Sequence, residues 1–151
     1  EGLIICSACL GGELCQNIMN QGYEAAKDTA AWYREVFGED FYLEIQGHGA
    51  SVQDSVNTEI IRMARAMNIK LVTTNDSHYL RKEDANAHDV LICIQTGTNV
   101  HDPKRMKYEP QEFYLKPYSE MMGKFETIAP DAIANTLEIH EKCKLNIETG
   151  R

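Results

Sequence analysis

An α/β fold built on a parallel sheet is predicted by three strand-like runs and by the helical stretches between them. Residues 2–8 (GLIICSA), 41–46 (FYLEIQ) and 69–74 (IKLVTT) are short and rich in apolar or β-branched side chains, and each is closed by turn-prone residues. Helical patterns fill 22–37 and 51–67, long enough to act as crossovers. Strands joined through helices pair in parallel, in a sheet that is either open or closed into a barrel.

Taken in order, the first strand gives way to Cys9-Leu10-Gly11-Gly12, which has turn chemistry. Glu13 to Asn20 is expected as a short helix ending at Gly22. Tyr23 to Phe37 is a longer one: Ala26, Ala30, Tyr33 and Phe37 recur at helical spacing, and Gly38 stands where a terminating glycine belongs. After the 41–46 strand and Gly47-His48-Gly49, Ser51 opens a helix with Asp54 in a capping-box position. Val52, Val56, Ile60, Met63 and Met67 form its apolar stripe, and Asn68 ends it.

The second half is patterned differently. Glu83 to Thr96 reads as a helix stopped by Gly97, with Ala87, Leu91 and Ile94 facing inward. Thr98 to Glu112 is charged, contains prolines and reads as an extended loop. Phe113 to Leu115 is expected as a short strand and Ser119 to Phe125 as a short helix. Pro130 to Lys142 is a helix with Pro130 in its first turn, Asp131 favourable to the dipole, and Ile133, Leu137 and His140 in line. Leu145 to Glu148 is expected as a short strand. The chain divides into residues 1–80, which carry the strands, and a helical and loop segment over 81–151.

With 151 residues and 43% hydrophobic residues, the chain can bury a core of its own. Its formal net charge of −8 excludes a general polyanion-binding surface. Lys104, Arg105 and Lys107 form a tight basic cluster, read as a solvated loop. No apolar run approaches the ~18 residues of a membrane span and no secretory signal pattern is present. The five cysteines are irregularly spaced, which points to a reducing compartment and a cytoplasmic protein. The sequence opens on Glu1, directly in a strand-like run, and is expected to be a piece of a longer protein.

Chemistry concentrates in 69–79, IKLVTTNDSHY. Asp76 and His78 are two apart, so on an extended segment both side chains leave one face just past a strand. A carboxylate and an imidazole there form either half of a metal site or an Asx-turn beside a solvated histidine. Cys9 lies just past the first strand, at the edge where parallel α/β folds collect functional groups. Cys6-x-x-Cys9 lacks the second pair of a zinc knuckle, and Cys6 falls inside the strand run and not at the helix start of a redox motif. Glu44 alternates with Leu43 and Ile45; it points into a barrel lumen or, on an open sheet, into solvent. His48 sits in a glycine-flanked loop as a ligand, a substrate contact or an exposed loop residue. His88 reads as structural. No phosphate-binding loop, dinucleotide fingerprint or nucleophile elbow is present.

The run VTTNDSHYLRKEDANAHDVLICIQTG, followed by DPKRMKYEPQEFYLKPYSEM, resembles the C-terminal part of the PHP domain of bacterial DNA polymerase III alpha subunits of the DnaE type. GLIICSACLGGEL and FYLEIQGHG resemble the two preceding strands of that domain. The resemblance implies the last three parallel strands of a distorted (β/α)7 barrel with their helices, over residues 1–80, and a segment leading toward the polymerase core. It implies that Asp76 and His78 are the family's final D-x-H ligand pair and that Cys9 takes the position of an earlier ligand. Glu44 and His48 lie in matching strands and receive no ligand role from it. The implied metal is zinc or manganese in a complete domain, held weakly or not at all by this chain alone. Magnesium would serve a polymerase core outside the chain.

Three functions follow as expectations. The first is DNA replication by a DNA-directed DNA polymerase, a nucleotidyltransferase whose PHP domain is a metal-dependent phosphoesterase or 3′–5′ exonuclease. The second is a non-catalytic PHP domain that braces the polymerase and docks a separate proofreading exonuclease subunit. The third is a stand-alone PHP phosphatase. The implied partners are DNA, deoxynucleotides and other replicase subunits, with no membrane. The open sheet edge of an isolated piece favours self-association.

Overall fold

A computed structural model of the chain describes residues 2–146 and 148–150. Among them, three parallel strands lie in the order β1 (Ile5–Cys6), β2 (Phe41–Gln46), β3 (Lys70–Thr74). Ile5 aligns with Phe41, and β2 pairs along its length with β3, from Tyr42 opposite Lys70 to Gln46 opposite Thr74. β1 is shorter than the expected 2–8 run: its pairing with β2 begins only at Ile5, and Ala8 turns into the left-handed region at φ 65°. The Ser7 hydroxyl still accepts from the Glu44 amide at 2.8 Å and tethers the strand end to β2.

The crossovers are helical, as the periodicity requires. α1 (Glu13–Asn20) and α2 (Tyr23–Phe37) join β1 to β2, and α3 (Ser51–Met67) joins β2 to β3. Ala26 and Ala30 of α2 are fully buried, and Val56, Ile60 and Met63 of α3 pack against the sheet. Two details of α3 differ from the sequence pattern. Ala50 stands at the cap with no side-chain bond, so Ser51 and Asp54 form no capping box. Val52 is exposed, while the polar Gln53 and Asn57 are buried. Asn68 ends the helix in the left-handed region at φ 51°.

α4 (Ala85–Thr96), α5 (Tyr118–Phe125) and α6 (Pro130–Lys142) follow. α4 does not face inward through Ala87, Leu91 and Ile94: these are exposed, Ile94 to 72%, and Ala85, Ile92 and Cys93 are buried instead. α4 is apolar on most sides, so its pattern selects no face. α6 covers β3 and the lower sheet: Asn135 donates to the Leu71 carbonyl at 2.7 Å, and Glu138 accepts from the Tyr42 hydroxyl at 2.7 Å and from Lys70 at 2.6 Å. Ile133 is buried there, but Leu137 is exposed.

The expected strand at Phe113 to Leu115 is a single parallel bridge, Tyr79 to Tyr114. It still straps the segment beside the end of β3, with the His78 amide donating to the Phe113 carbonyl at 2.7 Å. Residues 145, 146 and 148 form no strand, and Ile147 of the expected Leu145–Glu148 strand lies outside the described residues. Among the described residues no helix is long and apolar enough to cross a membrane.

Candidate functional site

Parallel pairing brings the three strand ends to one edge, and with them the candidate residues. Cys9 follows β1, His48 follows β2, and Asp76 and His78 follow β3. Cys9, Gln46, His48, Asp76, Tyr108 and Phe113 line one cavity of about 260 Å³ at that edge. A larger cavity of about 640 Å³ lies between α3 and α5, against Asn57, Lys124, Phe125 and Ile128, and takes in none of the candidate ligands.

Asp76 and His78 do meet: Asp76 Oδ1 stands 3.2 Å from His78 Nε2. The route differs from the expected extended segment, because Asp76 has φ 48° and turns left-handed. Aspartate tolerates that conformation better than most residues through its short polar side chain. Ala8, beside Cys9, is also left-handed, which for alanine is a strained backbone. Two of the left-handed non-glycine residues thus sit at the site edge.

His48 is not an exposed loop residue. It is 5% exposed, stacks on Phe113 with ring centroids 4.8 Å apart, and bonds Gln53 Oε1 through Nε2 at 3.1 Å. Burial holds its pKa below the ordinary imidazole value, against the Gln53 hydrogen bond and the Asp76 charge, which favour the proton. Glu44 is not solvated: its carboxylate is buried and accepts from the Thr74 hydroxyl and from Gln46 Nε2. Burial, then the Glu44 charge, push the Cys6 thiol up to about 11. A protonated Cys6 is a poor nucleophile or ligand, which agrees with its place in a strand and not at the helix start of a redox motif.

Two further rings pack against His78: His88, read from the sequence as structural, and Tyr108, which the sequence did not single out. His88 of α4 packs edge-on to His78 with centroids 5.7 Å apart, and Tyr108 lies 4.6 Å from His78. Tyr108 arrives on the 98–112 segment, which Arg105 pins to α4 through a bidentate pair with Asp89 at 2.6 and 2.5 Å. Arg105 therefore anchors a loop and is not simply solvated.

Among the described residues, the buried side-chain atoms without a hydrogen-bond partner are Gln46 Oε1, His48 Nδ1, Thr73 Oγ1 and Asn75 Nδ2. All belong to the ends of β2 and β3 or the loops after them. Buried polar atoms are normally paired, so each of these four calls for a partner such as water or a ligand. Thiol, imidazole and carboxylate donors at one cavity suit a zinc-type cation better than magnesium. Among the described residues, however, no three His, Cys, Asp or Glu side chains stand close enough together to hold an ion.

The chain matches the PHP-domain family over residues 1–48. It is similar to the DNA polymerase III subunit alpha of Campylobacter jejuni, 44% identical over 99% of this chain and 13% of that protein. It is 45% identical to that of Borreliella burgdorferi over 95% of this chain and 12% of the relative. With the Thermus aquaticus protein it shares 38% over 99% of this chain and 12% of the relative. The chain spans about an eighth of the length of the curated relatives it matches.

Proposed function

We propose, for a chain that belongs to the PHP-domain region of the DNA polymerase III alpha-subunit family, that Cys9, Asp76 and His78 serve metal-dependent phosphodiester hydrolysis in the intact protein and not DNA synthesis. The observation that carries this reading is the convergence of three parallel strand ends on one cavity that holds Cys9 and Asp76 beside unpartnered buried polar atoms. The three strands are part of a distorted (β/α)7 barrel over residues 1–80, and 81–151 lead toward a polymerase core. The similarity continues through 81–151, which supports a polymerase over a stand-alone phosphatase.

Zinc or manganese bound there would activate water and neutralise charge on the phosphate. Asp76 supplies a carboxylate fixed by the left-handed turn and steadied by His78 Nε2. Cys9, exposed on its turn, supplies a thiol to the same edge. His78 is itself packed by Tyr108, His88 and Phe113. DNA synthesis uses magnesium and other carboxylates outside this chain, with DNA, deoxynucleotides and replicase subunits as partners in the cytoplasm.

A second reading, a PHP domain that only braces the polymerase and docks an exonuclease subunit, is favoured by the lack of three converged donors among the described residues. The experiment that separates the two is His78→Ala in the intact protein, assayed for primer extension and for 3′-end removal with any exonuclease subunit excluded. Loss of 3′-end removal with extension retained supports the hydrolytic site. Unchanged 3′-end removal, or none in the unsubstituted protein, supports the brace.

A further inference from the structure

The backbone of Gln46 dictates which nitrogen of His48 carries a proton. Asn57 Oδ1 accepts from the Gln46 amide at 3.3 Å, and Asn57 Nδ2 donates to the Gln46 carbonyl at 2.6 Å. With both backbone groups fixed, the Asn57 amide can face only one way. Its Oδ1 also accepts from Gln53 Nε2 at 2.9 Å, which turns Gln53 Oε1 toward the histidine. That oxygen has no proton to give, so His48 Nε2 carries the hydrogen across 3.1 Å. The neutral ring, 5% exposed and stacked on Phe113, is left with an unpartnered lone pair on Nδ1.

We propose that His48 is a ligand, through Nδ1, of the divalent metal at this edge, joining Cys9 and Asp76, which line the same cavity. The inference rests on the hydrolytic reading above. A metal-ligating histidine characteristically gives its other N–H to an acceptor that fixes tautomer and ring plane. Gln53 fills that part here, and Asn57 and the Gln46 backbone fix Gln53. In the neutral ring the Nδ1 lone pair attracts a cation and repels an anionic group. Sulfur, nitrogen and oxygen donors together favour zinc over magnesium. Among the described residues no three such donors stand in ligating range, so this role requires them to move together on binding.

The test is metal binding by the intact protein, followed by cobalt(II)–thiolate absorption and by zinc competition, for the unsubstituted chain, Asp76→Ala, His48→Phe and Gln53→Leu, with circular dichroism as the check on folding. His48→Phe keeps the stacked ring and should weaken binding roughly tenfold or more; Gln53→Leu, which frees the tautomer, should weaken it by about tenfold. Binding that Asp76→Ala abolishes and His48→Phe leaves unchanged overturns the role of His48 alone. Absence of binding in the unsubstituted protein, or indifference to Asp76→Ala, overturns the hydrolytic reading and this inference together. Should His48→Phe not fold, zinc-edge anomalous diffraction from the unsubstituted protein decides. Density about 2.0–2.1 Å from Nδ1 supports the role, and zinc bound beyond reach of Nδ1 overturns it.

Discussion

Asn57 satisfies both backbone groups of Gln46, taking its amide proton at 3.3 Å and giving one to its carbonyl at 2.6 Å. One side chain on α3 thus finishes the hydrogen bonding of the last residue of β2. Asn57→Ala would leave both groups buried and unpaired, at a cost of about 1–3 kcal/mol each. Asn57→Asp should also destabilise, because a carboxylate cannot donate to the carbonyl. Urea denaturation of the two variants checks this, and a change within error for both would show that water takes over the role.

Glu138 is the acid-sensitive lock between α6 and the sheet. Hydrogen bonds from Lys70 and then Tyr42 hold its carboxyl down to about 2, below its ordinary 4.5. A depressed acid pKa means stability that is present above the ordinary value and is lost as pH falls through the folded one. Glu138→Gln should therefore be less stable than the unsubstituted chain near neutral pH, with the gap closing between about pH 5 and about pH 2. Thermal melts across that range measure it; a gap independent of pH would mean that shape and not charge matters.

Gly47 is small for steric reasons. A Cβ there would stand 2.8 and 2.9 Å from the ring of Phe125, which is 2% exposed in the core. Gly47→Ala should cost about 1–3 kcal/mol by overpacking. Chemical denaturation reads the loss, and Phe125→Leu in the same chain should recover part of it.

The Arg105–Asp89 pair holds the 98–112 segment, and with it Tyr108, over the site. Asp89→Ala should speed hydrogen exchange in 98–112 while leaving β2 and β3 protected. Equal loss of protection in the sheet would show instead that the pair supports the whole fold.

Backbone structure was written locally, and the site was not. β2 and α3 begin and end where strand and helix periodicity place them, at Phe41–Gln46 and Ser51–Met67, because apolar spacing and terminators such as Gly38 and Asn68 act within a few residues. Cys9, Asp76 and His78 were legible as a candidate set because parallel pairing puts successive strand ends on one edge. Which side chains are buried required the tertiary structure. Gln53 and Asn57 lie outside the apolar stripe that the sequence shows on this helix, yet both are buried, bonded to His48 and to the Gln46 backbone. α4 is apolar on most sides, so only packing chose Ile92 and Cys93 over Leu91 and Ile94. Tyr108 and His88 reach His78 through the Arg105–Asp89 clamp and the turn into α4. Periodicity reports the angle at which a side chain leaves its own backbone; its burial depends on what the rest of the chain brings to meet it, and for His48 that includes the tautomer it can adopt.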